Sequence, residues 1–180
     1  MNSISRRNVV GKSADILVIN GLEIPYYHFL YEGDFYKYLR IRNNKYFGNG
    51  MRINEYFLTE TFKQYDFNGE YTAFTKALMV IVHHFTDYTE RDLDNNSYKP
   101  IIDAIRKTGI IENDSWYNLS LMMIGDEAEN EKIEAFIIPH EYTGDFMFPN
   151  AIPSLNNLFK RPSISSITTN REMLESKHYF

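Results

Sequence analysis

Three short stretches carry the residues best suited to chemistry: Arg91-Asp92-Leu93-Asp94-Asn95, then Lys99, then Glu112-Asn113-Asp114-Ser115. Cleaving a phosphodiester needs an activated water and relief of the charge that builds on the leaving oxygen. Mg²⁺ held by carboxylates supplies both. On extended backbone, Asp92 and Asp94 point to the same side and can share one ion. A neighbouring lysine such as Lys99 can contact the phosphate. Each residue also has an ordinary structural use. Asp94 or Asn95 can cap the helix that follows, Asp114 suits a turn, and Lys99 can pair with Asp103 one helical turn on. The clusters flank a helix expected over Asn96–Thr108, roughly 20 Å long at ~1.5 Å per residue. Asp92 and Asp94 therefore meet Asp114 within one chain only if the chain after Gly109 runs back along that helix. Otherwise they meet across a dimer, and the sequence leaves both routes open.

A second group lies earlier. Between Phe35 and Asn54 there are five basic residues (Lys37, Arg40, Arg42, Lys45 and Arg52) and no acid, interleaved with Tyr36, Tyr38, Tyr46 and Phe47. Basic side chains neutralise phosphates, and aromatic rings stack on unpaired bases. The same pattern also suits a solvated strand pair with its rings turned inward. His83-His84 is a poor chelating pair, because successive strand residues face opposite ways. Gly48-Asn49-Gly50 lacks the lysine of a phosphate loop and reads as a turn. No G-x-S-x-G elbow is present.

Taken together, Asp92-Leu93-Asp94-Asn95, Lys99, Asp103-Ala104-Ile105, Gly109 and the Asp114 loop resemble the central motif of the RusA family of Holliday junction resolvases. By that resemblance Asp92, Asp94 and Asp114 correspond to the catalytic, metal-binding aspartates, and Lys99 to the catalytic lysine. The Asp94–Lys99 spacing is one residue longer than the family pattern, and Asn113 stands where the family often has a second acid. The resemblance runs from about Ala77 to Ile138. It implies a RusA-like mixed β-sheet packed against helices, a homodimer, Mg²⁺ dependence, and paired incision of a four-way DNA junction. Lys37, Arg40, Arg42, Lys45 and Arg52 would then be the DNA-binding set. The alternative is a differently targeted nuclease, or a non-catalytic DNA-binding or interaction protein that retains the fold.

Composition bounds these readings. The chain has 180 residues, enough for one domain with an extension, and 43% of them are hydrophobic, enough for a packed core. With no cysteine, a disulfide framework, a thiolate zinc site and a cysteine nucleophile are excluded. No signal-peptide pattern or membrane-length apolar run is seen, so a cytoplasmic location away from membranes is expected. The net charge of -5 is unusual for a nucleic-acid binder. The charge is polarised, however: Glu112–Asp145 holds nine acids and one lysine, Lys132.

The elements that must position these residues follow from periodicity, which points to an α+β fold. Ala14–Tyr27 reads as a strand or hairpin broken at Gly21. Ile53–Tyr65 reads as a helix burying Ile53, Phe57, Leu58 and Phe62, and Glu70–Lys76 as a second helical piece. Ala77–Phe85 is a buried strand by length and branching. Asn96–Thr108 is the clearest helix, with an apolar face of Tyr98, Ile101, Ile102 and Ile105 and with Gly109 past its end. Trp116–Ile124 and Lys132–Ile138 read as a hairpin. Residues 1–138 are thus expected to form the nuclease-like domain, with residues 139–180 as a C-terminal extension that drapes over the core or reaches a partner. If the basic segment binds DNA, replacing Arg40, Arg42 and Lys45 together with Ala flattens the dependence of log affinity on log salt by about 0.9 for each phosphate no longer neutralised. An unchanged slope removes the segment from the interface.

Overall fold

The computed structural model describes residues 4–8, 13–39, 46–47, 50–69, 72–87, 93 and 96–147. Its strands are β1 (Ile4–Asn8), β2 (Ala14–Ile19), β3 (Leu22–Glu32), β4 (Tyr46–Phe47), β5 (Met51–Arg52), β6 (Ala77–Phe85), β7 (Leu119–Glu127) and β8 (Lys132–Pro139). Its helices are α1 (Tyr36–Leu39), α2 (Ile53–Gln64), α3 (Lys99–Arg106) and α4 (Thr143–Met147). Six strands form one mixed sheet in the order β1-β2-β3-β8-β6-β7, and β4 and β5 pair separately. The architecture is α+β.

Strand β6, Ala-Leu-Met-Val-Ile-Val-His-His-Phe, is buried at every position. An apolar run without alternation suits a strand covered on both faces. Its odd residues Ala77, Met79 and Ile81 pack with Tyr27, Phe29 and Tyr31 of β3 and with Ile101 and Ile105 of α3. Its even residues Leu78, Val80 and Val82 pack with Leu17, Ile24, Tyr26, Phe136 and Phe146 on the opposite face. Both helices of any length, α2 and α3, contribute to the first face.

The β2–β3 hairpin turns at Asn20 and Gly21, with φ of 52° and 84°. Two successive left-handed residues make the tight turn whose twist matches the strands, and Asn-Gly is the pair that tolerates it. Ile19 and Leu22 pair directly across this turn.

Three expectations are corrected. Strands β7 and β8 are not a hairpin: β6 lies between them, antiparallel to β8 and parallel to β7. A strand buried on both faces fills both its edges, and the crossover through α3 delivers β7 to the far one. The connection from β7 to β8 passes over the end of β6, where the Ala128 N–H donates to the Phe85 carbonyl at 2.9 Å. Residues 72–76 are not helical; Phe74 bridges Ile111 in parallel fashion and donates its N–H to the Ile110 carbonyl at 2.7 Å. In α2 the buried stripe is Ile53, Phe57 and Thr61, while Phe62 is 39% exposed and leans edge-on against Phe67. Thr61 can enter the core because its hydroxyl reaches Tyr31 Oη at 2.8 Å and donates to the Phe57 carbonyl at 2.7 Å.

The helix expected over Asn96–Thr108 spans Lys99–Arg106, with Ile101, Ile102, Ala104 and Ile105 buried. Beyond β8, Phe146 of α4 is buried edge-on against Tyr26, so residues 143–147 cover the second face. Gly21→Ala forces a Cβ into left-handed backbone and should destabilise the fold by about 1–2 kcal/mol. A denaturant midpoint equal to wild type would show that the turn does not constrain the hairpin.

Candidate active site

Lys99 is the first residue of α3, behind an N-cap at Tyr98. That position makes no side-chain cap hydrogen bond, and Asp94 and Asn95 lie outside the described residues. Along α3 the solvent-facing residues are Lys99, Asp103 and Arg106, each about one turn from the next. The Lys99 ammonium donates to Asp103 Oδ1 at 2.5 Å and to Asp114 Oδ2 at 2.5 Å. Arg106 Nε lies 3.9 Å from Asp114 Oδ1. Asp114 thus reaches residues from both ends of α3, so the chain after Gly109 does run back along the helix.

Local structure explains the return. Gly109 takes φ 85°, which reverses the chain after the last turn. Ile110 and Ile111 are then buried, and Phe74 holds them through its bridge. Asn113 Oδ1 accepts the Asp114 N–H at 2.8 Å. Asn118 closes the loop: its side chain accepts from Ser115 Oγ at 2.8 Å and donates to the Thr75 carbonyl at 2.8 Å. The loop bearing Asp114 is therefore tied to the start of β6.

Electrostatics follow this geometry. Hydrogen bonds to Asp103 and then to Asp114 raise the Lys99 ammonium above its ordinary value, so it stays charged. The Lys99 hydrogen bond holds the Asp114 carboxyl below the usual carboxylate range.

Asp92 and Asp94 lie outside the described residues. Leu93, between them, is described. It accepts the Asn96 N–H at 3.3 Å, and its side chain lies over Gly125, with Cδ2 3.5 Å from where a Cβ there would sit. Gly125 pairs with His83 near the carboxyl ends of β6 and β7. The same end holds the start of α3, because Tyr98 Oη is 3.0 Å from His83 Nδ1. Leu93 and Tyr98, the residue before Lys99, therefore both lie against the carboxyl end of β6.

The basic set divides. Arg40, Arg42 and Lys45 lie outside the described residues, and Arg52 is exposed at the start of α2. Lys37 pairs with Asp34 at 2.5 Å and lines a cleft of about 960 Å³ at the end of β3 and β6. That cleft also carries Glu32, Asp87, Glu129, Glu131 and Lys132. Carboxylates outnumber lysines there, so the charge of Lys37 is offset locally.

Sequence reasoning missed the buried polar clusters. The two histidines of β6 do face opposite sides. On the helical side, His83 Nε2 is 3.0 Å from Glu131 Oε1, and that oxygen also accepts the N–H groups of Phe35 and Tyr36 at 2.6 and 2.7 Å. On the other side, Glu134 is 4% exposed, accepts from Lys132 at 3.0 Å and lies 2.7 Å from His28 Nε2. His84 Nε2 sits 3.0 Å from Glu134 Oε1, an ion-pair contact aimed too poorly for a hydrogen bond, and His84 Nδ1 is 3.5 Å from Asp126. Burial pushes the Glu134 carboxyl up, but hydrogen bonding from His28, the contact with His84 and the Lys132 ammonium overcome it and hold it well below the usual range. One signal for this cluster was available: Glu134 interrupts the apolar run of β8 at an inward-facing position.

Among the described residues no group of three or more histidines and carboxylates is placed to hold a metal. The sequence matches no protein-family model and no curated protein. No helix among the described residues is long and apolar enough to cross a membrane.

Glu134 has a depressed folded value, so its contribution to stability is present above the ordinary carboxylate range and is lost as pH falls through the folded value. Glu134→Gln should cost about 2 kcal/mol at pH 7 and make stability less steep in acid. Parallel acid limbs for variant and wild type would show that Glu134 is not the titrating group.

Proposed function

We propose that the chain is a Mg²⁺-dependent, structure-specific endodeoxyribonuclease of the RusA type that resolves four-way DNA junctions. The observation that carries this reading is the contact of Lys99 with Asp114, fifteen residues apart, at the end of α3 that also holds Leu93. A lysine and a carboxylate at opposite ends of a helix and its return loop meet, which supports the reading of the motif.

Asp114 with Asp92 and Asp94 would give a donor set of hard oxygens without thiolate, which suits Mg²⁺. When bound, that ion would supply Lewis acidity at the phosphate and activate a water. The chain's own residues supply the rest. Asp114 is held ionised by Lys99, so it is ready to bind a cation at neutral pH. Lys99, kept protonated by Asp103, offers its ammonium to a non-bridging phosphate oxygen and offsets the charge that grows there. Asp103 would keep the lysine placed if Asp114 held a cation. In the hydrolysis, water forms a new bond to phosphorus, one ester bond breaks, and the departing sugar oxygen takes up a proton. Branched DNA is the proposed partner, and a homodimer would place two such sites for paired incision. An acidic protein approaching DNA needs its basic residues concentrated, and the segment from Lys37 to Arg52 is where they are.

The test is cleavage of a synthetic four-way junction in Mg²⁺, beside flap, fork and linear duplexes. Wild type should cut the junction. Asp94→Asn and Asp114→Asn should each reduce the rate by about 10²-fold or more while junction binding is kept or tightened, since a negative charge is removed beside phosphate. Lys99→Ala should also cut slowly. Wild-type rates in Asp94→Asn would overturn the assignment, and preferential cutting of flaps or forks would transfer it to a differently targeted nuclease with the same residues.

A further inference from the structure

The loop beyond Asp114 ends in a turn, Ser115-Trp116-Tyr117-Asn118, in which the N–H groups of Asn118 and Leu119 both donate to the Ser115 carbonyl, at 3.0 and 2.9 Å. Its corners, Trp116 and Tyr117, are 88% and 66% exposed. Such corners usually carry Gly, Pro, Asn, Asp or Ser. A pair of large rings there is the informative exception, because so much apolar area stays in water. Trp116 is also the chain's single tryptophan. The turn is fixed at its base: the Ala77 N–H donates to the Asn118 carbonyl at 2.8 Å, beside the Asn118 bond to Thr75. Tyr117 meets Trp116 edge-on, with ring centroids 5.9 Å apart and planes at 88°. The indole is thus braced by one ring while its exposure leaves a face open.

We infer that Trp116, braced by Tyr117, is a stacking platform for a DNA base displaced from its helix beside the phosphate contacted by Lys99. The inference rests on the nuclease reading for the identity of that phosphate. Two residues of chain reach at most ~7 Å, which keeps the Trp116 backbone within about two nucleotide steps of Asp114, at about 3.4 Å per step of stacked strand. Asp114 is itself 2.5 Å from the Lys99 ammonium. A base inside a duplex shows its faces to its neighbours and not to a protein. A base at a branch point can leave the stack, and every base then offers a face that an indole can cover. The platform would favour branched over linear DNA without reading sequence. A protein partner fits less well, since a stable interface needs roughly 800 Å² on each side. The residues flanking the two rings, Ser115 and Asn118, are polar and bonded to each other at 2.8 Å. A platform fixed in advance also loses little freedom on binding.

Binding without cleavage tests it, using the full chain with Ca²⁺ in place of Mg²⁺ and a four-way junction, a single strand and a linear duplex. Because Trp116 is the single tryptophan, its emission reports on that ring alone. Junction and single strand should quench it, and duplex should not. Trp116→Ala should weaken junction binding by about 10-fold or more and leave duplex binding unchanged. The slope of log affinity on log salt should stay as in wild type, because no charge is removed. Trp116→Phe should recover most of the affinity. Emission unmoved by the junction, equal quenching by duplex, or wild-type junction affinity in Trp116→Ala would each overturn the inference. Junction cleavage by Trp116→Ala at the wild-type rate and affinity would leave the nuclease reading standing without the platform. Quenching and loss of affinity in a chain that cuts no DNA in Mg²⁺ would keep the platform and remove the nuclease.

Discussion

The burial of β6 on both faces is the constraint from which the rest of the architecture follows. Nine consecutive buried residues leave no solvated side, so layers must form above and below the strand and partners must fill both of its edges. Strand β8 fills one edge and β7 the other. Because β7 runs parallel to β6, the chain must return across the sheet, and α3 is that return. The proposed site is a consequence. The start of α3 is brought to the carboxyl end of β6, and the residues after Gly109 are brought back toward the start of β6. Asp114 meets Lys99 because the crossover has to reverse within a few residues, and buried Ile110 and Ile111 leave it one path.

Two buried histidines at the end of this strand show how polarity is accommodated in such a position. A buried imidazole or carboxylate is costly unless its hydrogen-bonding groups are met. His83 is met by hydrogen bonds with Tyr98 and Glu131, whereas His84 has only the charge contacts with Glu134 and Asp126. Glu131 has a further role, since it also accepts two N–H groups at the start of α1. Through that one carboxylate the β7–β8 connection, the end of β6 and the beginning of the basic segment are held together. The acids of residues 126–134 are therefore not a uniformly solvated run. Part of the chain's negative charge lies inside, against histidine and lysine partners.

Local patterns were legible where local physics decides. Asn20-Gly21 dictates a tight turn whatever surrounds it, and β6 announces itself by length and branching. The apolar face of α3 repeats at helical spacing, and Gly109 marks its end. What was not legible depended on partners distant along the chain. Trp116–Ile124 and Lys132–Ile138 are recognisable as strands, but nothing within them says that β6 will lie between. Thr61 in the core is intelligible only once Tyr31 is opposite it, and Phe62 is left outside for the same reason. For the site, the residue types and the question they posed were visible: whether the chain doubles back after the helix. The answer needed the buried Phe74–Ile111 bridge, a contact between two segments with no sequence signature of their own.

The charge distribution makes one last step possible. A protein with a net charge of -5 is repelled by DNA at long range and by other copies of itself. Association with either must therefore use surfaces where the negative charge is absent. The described surface offers one such stretch, residues 119–125, uncharged and apolar, and the sequence offers another, residues 35–54, basic and aromatic. They differ in chemistry as the two partners would. The first has nothing to attract phosphate; the second has the cations phosphate requires.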